Sequence, residues 1–191
     1  MNEYKFLPTL MWKYNYEQGF DLDPFKDQLK RLGIQGNYEA EGGLTTAGMG
    51  ENLHEQEFLV PFLNWLRPKV ELALNEWQLN WTQYFITKSW VNSHLIGGYT
   101  KTHDHGSTHL VVSIYIKQPK NGGNVEFENF TRREWISYMR KDEPGNMHDY
   151  YSEVAIETND VLIFPGWLSH RAQANNSIEE RLVFTLNYFA Q

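Results

Sequence analysis

The sequence predicts a mainly β protein, an antiparallel sandwich or barrel with helices at its N-terminal end. Two observations carry that expectation. From about residue 80 onward, short runs rich in β-branched and aromatic residues are separated by turn-forming residues. Before that point, apolar residues recur at helical spacing instead.

In chain order, Asp23-Pro24 offers an N-cap followed by proline at the first helical position, and Phe25, Leu29 and Leu32 continue a helix until Gly33. Glu41–Gly50 reads as a glycine-rich loop with neither a dinucleotide fingerprint nor a P-loop ending. A second helix starts near Asn52 or Glu55, with Phe58, Leu59, Phe62, Leu63 and Leu66 on one face. Pro68 is expected to split it, before Val70, Leu72, Leu74 and Trp77 resume the register. The strand candidates are Trp81–Asn92, Tyr99–His103, Leu110–Lys117, Asn124–Phe127, Glu153–Ile156, Val161–Phe164 and Arg181–Phe189. Turn signals at Gly97-Gly98, Pro119–Gly123, Thr158–Asp160 and Asn175-Asn176 punctuate them. The expected organisation is one domain, with residues 1–80 a helical elaboration and 81–191 the β core. Residues 128–152, where aromatics and charges alternate without a period, read as an insertion.

Composition narrows the chemistry. The 191 residues contain no cysteine, which excludes disulfides, thiolate metal sites and thiol nucleophiles. A net charge of −7 opposes non-specific binding to nucleic acid. No apolar run reaches the ~18 residues of a membrane span, and the first residues lack the form of a secretory signal, so a cytoplasmic location is expected.

Four of the seven histidines, His94, His103, His105 and His109, fall within sixteen positions. On a strand, residues i and i+2 share a face, so His103 and His105 would project together while Asp104 points away. Such a pair suits a transition metal, and it also occurs as exposed polar residues at a strand end. The run Asp160–His170 reads as a turn, a buried strand and a following histidine, with Arg181 opening the next strand. In a hairpin centred on Asn175-Asn176, His170 and Arg181 would stand about 5 Å apart. The arginine could then clamp a carboxylate beside a histidine-bound metal.

These residues carry a resemblance. Gly98–His105, Val112–Ile116, Gly122–Phe127, Asp160–Pro165, His170 and Arg181 are similar to the double-stranded β-helix (jelly-roll, cupin-like) core of the Fe(II)- and 2-oxoglutarate-dependent oxygenases. Within that superfamily the chain resembles an uncharacterised branch of 2OG-Fe(II) oxygenases of bacteria and phages. That branch carries Trp-x-Asn ahead of the core, here Trp90-Val91-Asn92, and H-x-H in place of H-x-D. The resemblance covers residues 81–189 and extends weakly to Phe6-Leu7-Pro8-Thr9.

It implies metal ligands at His103, His105 and His170, and a 2-oxoglutarate carboxylate held by Arg181. The departure is His105, where most of the superfamily has Asp or Glu. A third neutral imidazole leaves an Fe(II) centre at +2 rather than +1. Asp104, rotated by a bulge, is the alternative third ligand. Tyr115 and Asn92 are candidate co-substrate contacts. Ser113 and Tyr99 are further candidates for the pocket wall, Trp167 and Arg171 for its rim, while His94 and His109 read as ordinary polar sites.

The implied activity is oxidative decarboxylation of 2-oxoglutarate at Fe(II), coupled to hydroxylation of a small molecule or a peptide side chain such as prolyl, with ascorbate as an in vitro supplement. Two rival readings are a three-histidine zinc or iron enzyme that does not use 2-oxoglutarate, and a non-catalytic jelly-roll binding protein.

Overall fold

Ten strands and two helices form a curled antiparallel jelly roll in a computed structural model that describes residues 9–36, 40–49, 52–129 and 151–191. The interior of the 128–152 insertion and Phe6-Leu7-Pro8 lie outside the described residues. No helix among the described residues is long and apolar enough to cross a membrane.

One sheet runs β1 (Trp12–Asn15), β8 (Asp160–Pro165), β5 (Leu110–Lys117), β10 (Arg181–Ala190) and β4 (Tyr84–His103). The second continues from β4 through β9 (His170–Ala172) and β6 (Val125–Glu128) to β7 (Tyr151–Val154). β4 belongs to both. Its first half pairs with β10, from Tyr84↔Ala190 to His94↔Arg181, and its second half with β9, at Thr100↔Ala172 and His103↔His170. Along its other edge runs β3 (Ala40–Thr45), which also pairs with β2 (Ile34–Gln35).

Strand alternation divides the apolar residues between two cores. On one face of the first sheet, Val91, Val112, Ile114, Val161, Leu182, Phe184 and Leu186 pack against α1 (Asp23–Leu32) and α2 (Val60–Glu76). Phe25 of α1 meets Phe184 at a ring distance of 5.5 Å, and Phe62, Leu66, Val70 and Leu74 of α2 supply a stripe at helical spacing. Each such buried side chain contributes roughly 1.5–3 kcal/mol by transfer from water. The other face holds Val111, Tyr115, Leu162, Phe164 and Val183 against Val125 and Phe127 of the second sheet. The candidate site lies between the sheets.

Several local expectations are corrected. The first half of the supposed glycine-rich loop, Glu41 to Thr45, belongs to the strand Ala40–Thr45, so the N-terminal region contributes to the sheet as well as to the helices. Its glycines have a physical reason: Gly42 has φ +71°, and a Cβ there would lie 2.6 Å from the Cα of Gly98 on the neighbouring strand. Gly97-Gly98 is correspondingly not a turn between two strands but the bend at which β4 passes from one sheet to the other. Asn175 closes this bend, its NH donating to Gly98 O at 2.8 Å and its Nδ2 to His94 O at 2.9 Å. We expect Gly42→Ala to destabilise the protein by about 1–3 kcal/mol, the cost of a strained left-handed backbone. Urea denaturation checks this, and an unchanged midpoint would show that the bend can relax.

Pro68 does not split α2. It and Asn64, whose carbonyl it leaves without its helical donor, lie on the exposed face where water can serve that group. The helix begins at Val60, after two short 3₁₀ turns, rather than near Asn52. Asp23 lies inside α1, with Leu22 at the N-cap position. Finally, His170 and Arg181 do not face each other across a hairpin. β9 and β10 each pair with a different half of β4, so His170 stands opposite His103 and Arg181 opposite His94.

Candidate active site

His103 ends β4 and is paired directly with His170 on β9, which is paired on its other side with Phe127. This cross-strand register brings the two rings to a centroid distance of 4.4 Å. His105 reaches them by another route than strand alternation, because β4 stops at His103. Its backbone NH donates to Gly166 O at 2.8 Å, which ties the turn after β4 to the end of β8. Gly166 has to be glycine, since a Cβ would fall 2.0 Å from Thr108 O. Asp104 points to solvent in this turn and accepts a hydrogen bond from Gly106 NH at 2.8 Å, and it is not among the three residues whose ligand atoms cluster.

The ligand atoms of His103, His105 and His170 all lie within 4.8 Å of one another. Their other nitrogens are accounted for. Nδ1 of His103 pairs with Lys101 O at 2.8 Å, Nδ1 of His170 with Leu168 O at 2.9 Å, and Nδ1 of His105 with Asn187 Oδ1 at 2.8 Å. A carbonyl oxygen only accepts, so each Nδ1 carries the proton and each neutral ring keeps its lone pair on Nε2. Nε2 of His105 is buried without a hydrogen-bond partner among the described residues. Burial first, and then the neighbouring His103, lower the pKa of His105 to about 4. Burial followed by His103 and His105 takes His170 well below the ordinary histidine value. Both shifts favour the neutral, metal-binding form. Three imidazoles whose ligand atoms lie this close together fit a first-row transition metal.

The pocket beside them is walled by the inner face of the first sheet: Trp90, Asn92 and His94 of β4, Ser113 and Tyr115 of β5, Val183 and Thr185 of β10. Arg181 lies on the same face of β10 as Val183 and Thr185, and is fully buried. Its Nη1 donates to Gly122 O at 2.5 Å and Gln173 O at 2.9 Å. Its Nε and Nη2 are buried and have no hydrogen-bond partner among the described residues. Those two N–H groups form the side-on fork of the guanidinium, the edge that matches a carboxylate. Tyr115 stands near this charge. Burial raises its hydroxyl to about 12 against the opposing pull of Arg181, so it remains a proton donor. Asn92 accepts from Thr45 Oγ1 at 2.5 Å, which anchors β3 to the pocket wall.

The remaining candidates divide. Arg171 lines the pocket, ion-paired with Glu126 and stacked 3.8 Å from the centre of the Tyr151 ring. Trp167 is half exposed and packs edge-on against Trp77, away from the pocket, and Tyr99 is also outside the pocket wall. His109 lies outside the pocket wall and accepts from Ala190 NH at 2.9 Å. His94 is not an ordinary polar site. It is buried in the pocket wall opposite Arg181, Nε2 paired with Thr100 Oγ1 at 2.9 Å and Nδ1 without a partner. Burial, reinforced by Arg181, lowers it to about 3 and keeps it neutral. Asn187 escaped sequence reasoning, although a polar residue inside the apolar run Arg181–Ala190 is the kind of exception that marks a buried partner.

Comparisons with known proteins bear on the family and the fold. A family model described as "Putative 2OG-Fe(II) oxygenase" matches residues 88–187, just over half of the chain. Curated protein sequences give no match. Among solved structures, a Pseudomonas putida prolyl-4-hydroxylase superposes with a TM-score of 0.61 at 11% identity, covering 96% of this chain and 94% of that one. HygX from Streptomyces hygroscopicus, solved with nickel and 2-oxoglutarate bound, gives 0.59 at 12% identity over 96% of this chain and 84% of that one. A Trichoplax adhaerens prolyl hydroxylase, in complex with a hypoxia inducible factor peptide fragment, gives 0.60 at 14% identity over 94% and 83%.

Proposed function

The chain belongs to the "Putative 2OG-Fe(II) oxygenase" family, and from that premise we propose that it is an Fe(II)- and 2-oxoglutarate-dependent dioxygenase. In this reading His103, His105 and His170 hold the iron, Arg181 binds the distal carboxylate of 2-oxoglutarate, and Tyr115 and Asn92 line its path. The observation that carries the reading is Arg181. A buried guanidinium whose fork has no partner among the described residues is costly, and a carboxylate that donates nothing and accepts twice would satisfy it. A zinc centre working without 2-oxoglutarate would leave that fork unexplained.

When bound, Fe(II) supplies the oxygen chemistry: O₂ delivers one oxygen atom to the substrate C–H bond and one to 2-oxoglutarate, which leaves as succinate and CO₂. The chain's own contribution is placement. Arg181 fixes one end of the co-substrate, the histidines fix the metal, and the apolar side chains of Val183 and Val125 keep the space between the sheets dry. The substrate class we propose is a small molecule or a peptide side chain such as prolyl, by likeness to HygX and to the prolyl hydroxylases.

The test is metal analysis of protein purified without chelator, followed by calorimetric titration of 2-oxoglutarate into the Mn(II)-loaded protein. One metal per chain and metal-dependent 2-oxoglutarate binding are expected. Bound zinc with no affinity for 2-oxoglutarate, or neither metal nor 2-oxoglutarate binding, would overturn the proposal.

A further inference from the structure

The three histidines are not held alike. His103 and His170 each donate their Nδ1 proton to the carbonyl two residues back in their own chain segment, Lys101 O and Leu168 O. Their orientation is therefore built into β4 and β9. His105 lies beyond the end of its strand, and its Nδ1 partner comes from Asn187, 82 residues away. Asn187 is buried on the inner face of β10, on the same side as Arg181, Val183 and Thr185. The register of β10 against β4 shifts next to it, between Asn187 and Tyr188, where Thr87 of β4 is skipped. Trp90 stacks on the same imidazole, with ring centroids 5.7 Å apart and planes 24° apart. One ring is thus held at its edge by an amide and on its face by an indole.

We propose that Asn187 is the positioning residue that makes His105 a metal ligand, its Oδ1 accepting the Nδ1 hydrogen bond so that the Nε2 lone pair faces His103 and His170. The inference rests on the metal-centre reading above. Without an acceptor at Nδ1, the neutral ring is free to carry its proton on Nε2, which closes that nitrogen to a metal. An amide does this without charge. A carboxylate in the same place would add −1 beside the centre, whereas Asn187 leaves three imidazoles and a full +2 to attract a dianionic co-substrate.

The test is Co(II) titration of the chelator-stripped protein, followed through its visible absorption. Asn187→Leu, which keeps size and loses the acceptor, should weaken Co(II) binding by about 10- to 100-fold, the usual effect of removing an outer partner of a ligating histidine. Asn187→Asp, which keeps the acceptor, should retain or tighten it. In a His105→Ala background the Leu substitution should have no further effect on Co(II) affinity, since no imidazole remains to orient. Unchanged binding in folded Asn187→Leu, loss of binding in Asn187→Asp, or an undiminished Leu effect without His105 would each overturn the role of Asn187. No Co(II) binding by the natural protein would instead overturn the metal centre itself.

Discussion

Arg181→Lys should lower the affinity of the Mn(II)-loaded protein for 2-oxoglutarate by at least tenfold while leaving Mn(II) affinity unchanged. The guanidinium uses Nη1 on two backbone carbonyls, Gly122 O and Gln173 O, and keeps Nε and Nη2 for a ligand. An ammonium has three donors on one nitrogen and cannot serve the two carbonyls and present a planar fork together. One charge-assisted hydrogen bond contributes about 1.5–3 kcal/mol, and a factor of ten corresponds to about 1.4 kcal/mol. Losing one arm of the fork therefore accounts for tenfold to roughly a hundredfold. Calorimetry on both proteins, with circular dichroism to confirm folding, measures it. Equal affinity for 2-oxoglutarate would remove Arg181 from the site.

Much of the arrangement at this candidate site is legible in the sequence, though not always for the right reason. His103 and His170 belong together because β4 and β9 are neighbours, a pairing that sequence spacing alone does not reveal. The hairpin argument that joined His170 to Arg181 failed because the connection at residues 173–180 passes between two sheets rather than folding back within one. What local pattern could not supply was the bend in β4. Gly97-Gly98 carries the signature of a turn, and only its close approach to Gly42 on β3 shows that the chain continues as one strand there, shifting its register against β3 between Glu41 and Gly43, and changes sheets. The start of Glu41–Gly50 reads as a loop for the same reason, although Gly42 and Gly43 serve the close approach of a neighbouring strand rather than flexibility. His105 was chosen on strand alternation, yet the strand ends before it and a turn laced to Gly166 delivers it. Long-range partners decide both cases, and the pattern of a single segment does not encode them.

His105→Asp is expected to reduce succinate formation from 2-oxoglutarate by tenfold or more, although it restores the ligand set usual in the superfamily. The surroundings of residue 105 are built for an imidazole. Asn187 Oδ1 offers an acceptor that a carboxylate cannot use, and Trp90 presents a flat face that a short side chain leaves uncovered. An aspartate there would turn oxygen toward oxygen unless the buried amide flips, and would shift the ligand atom back toward β4. The change also removes one unit of positive charge from the centre, weakening its hold on a dianion. Outer-shell mismatches of this kind at metal sites cost about 10- to 100-fold in activity. Succinate formation by both proteins under Fe(II), ascorbate and oxygen decides the point. A fall in the variant fits an oxygenase constructed around three histidines. Activity that appears only in the variant would mean that the natural sequence keeps the barrel without the chemistry, and would sink the enzyme reading.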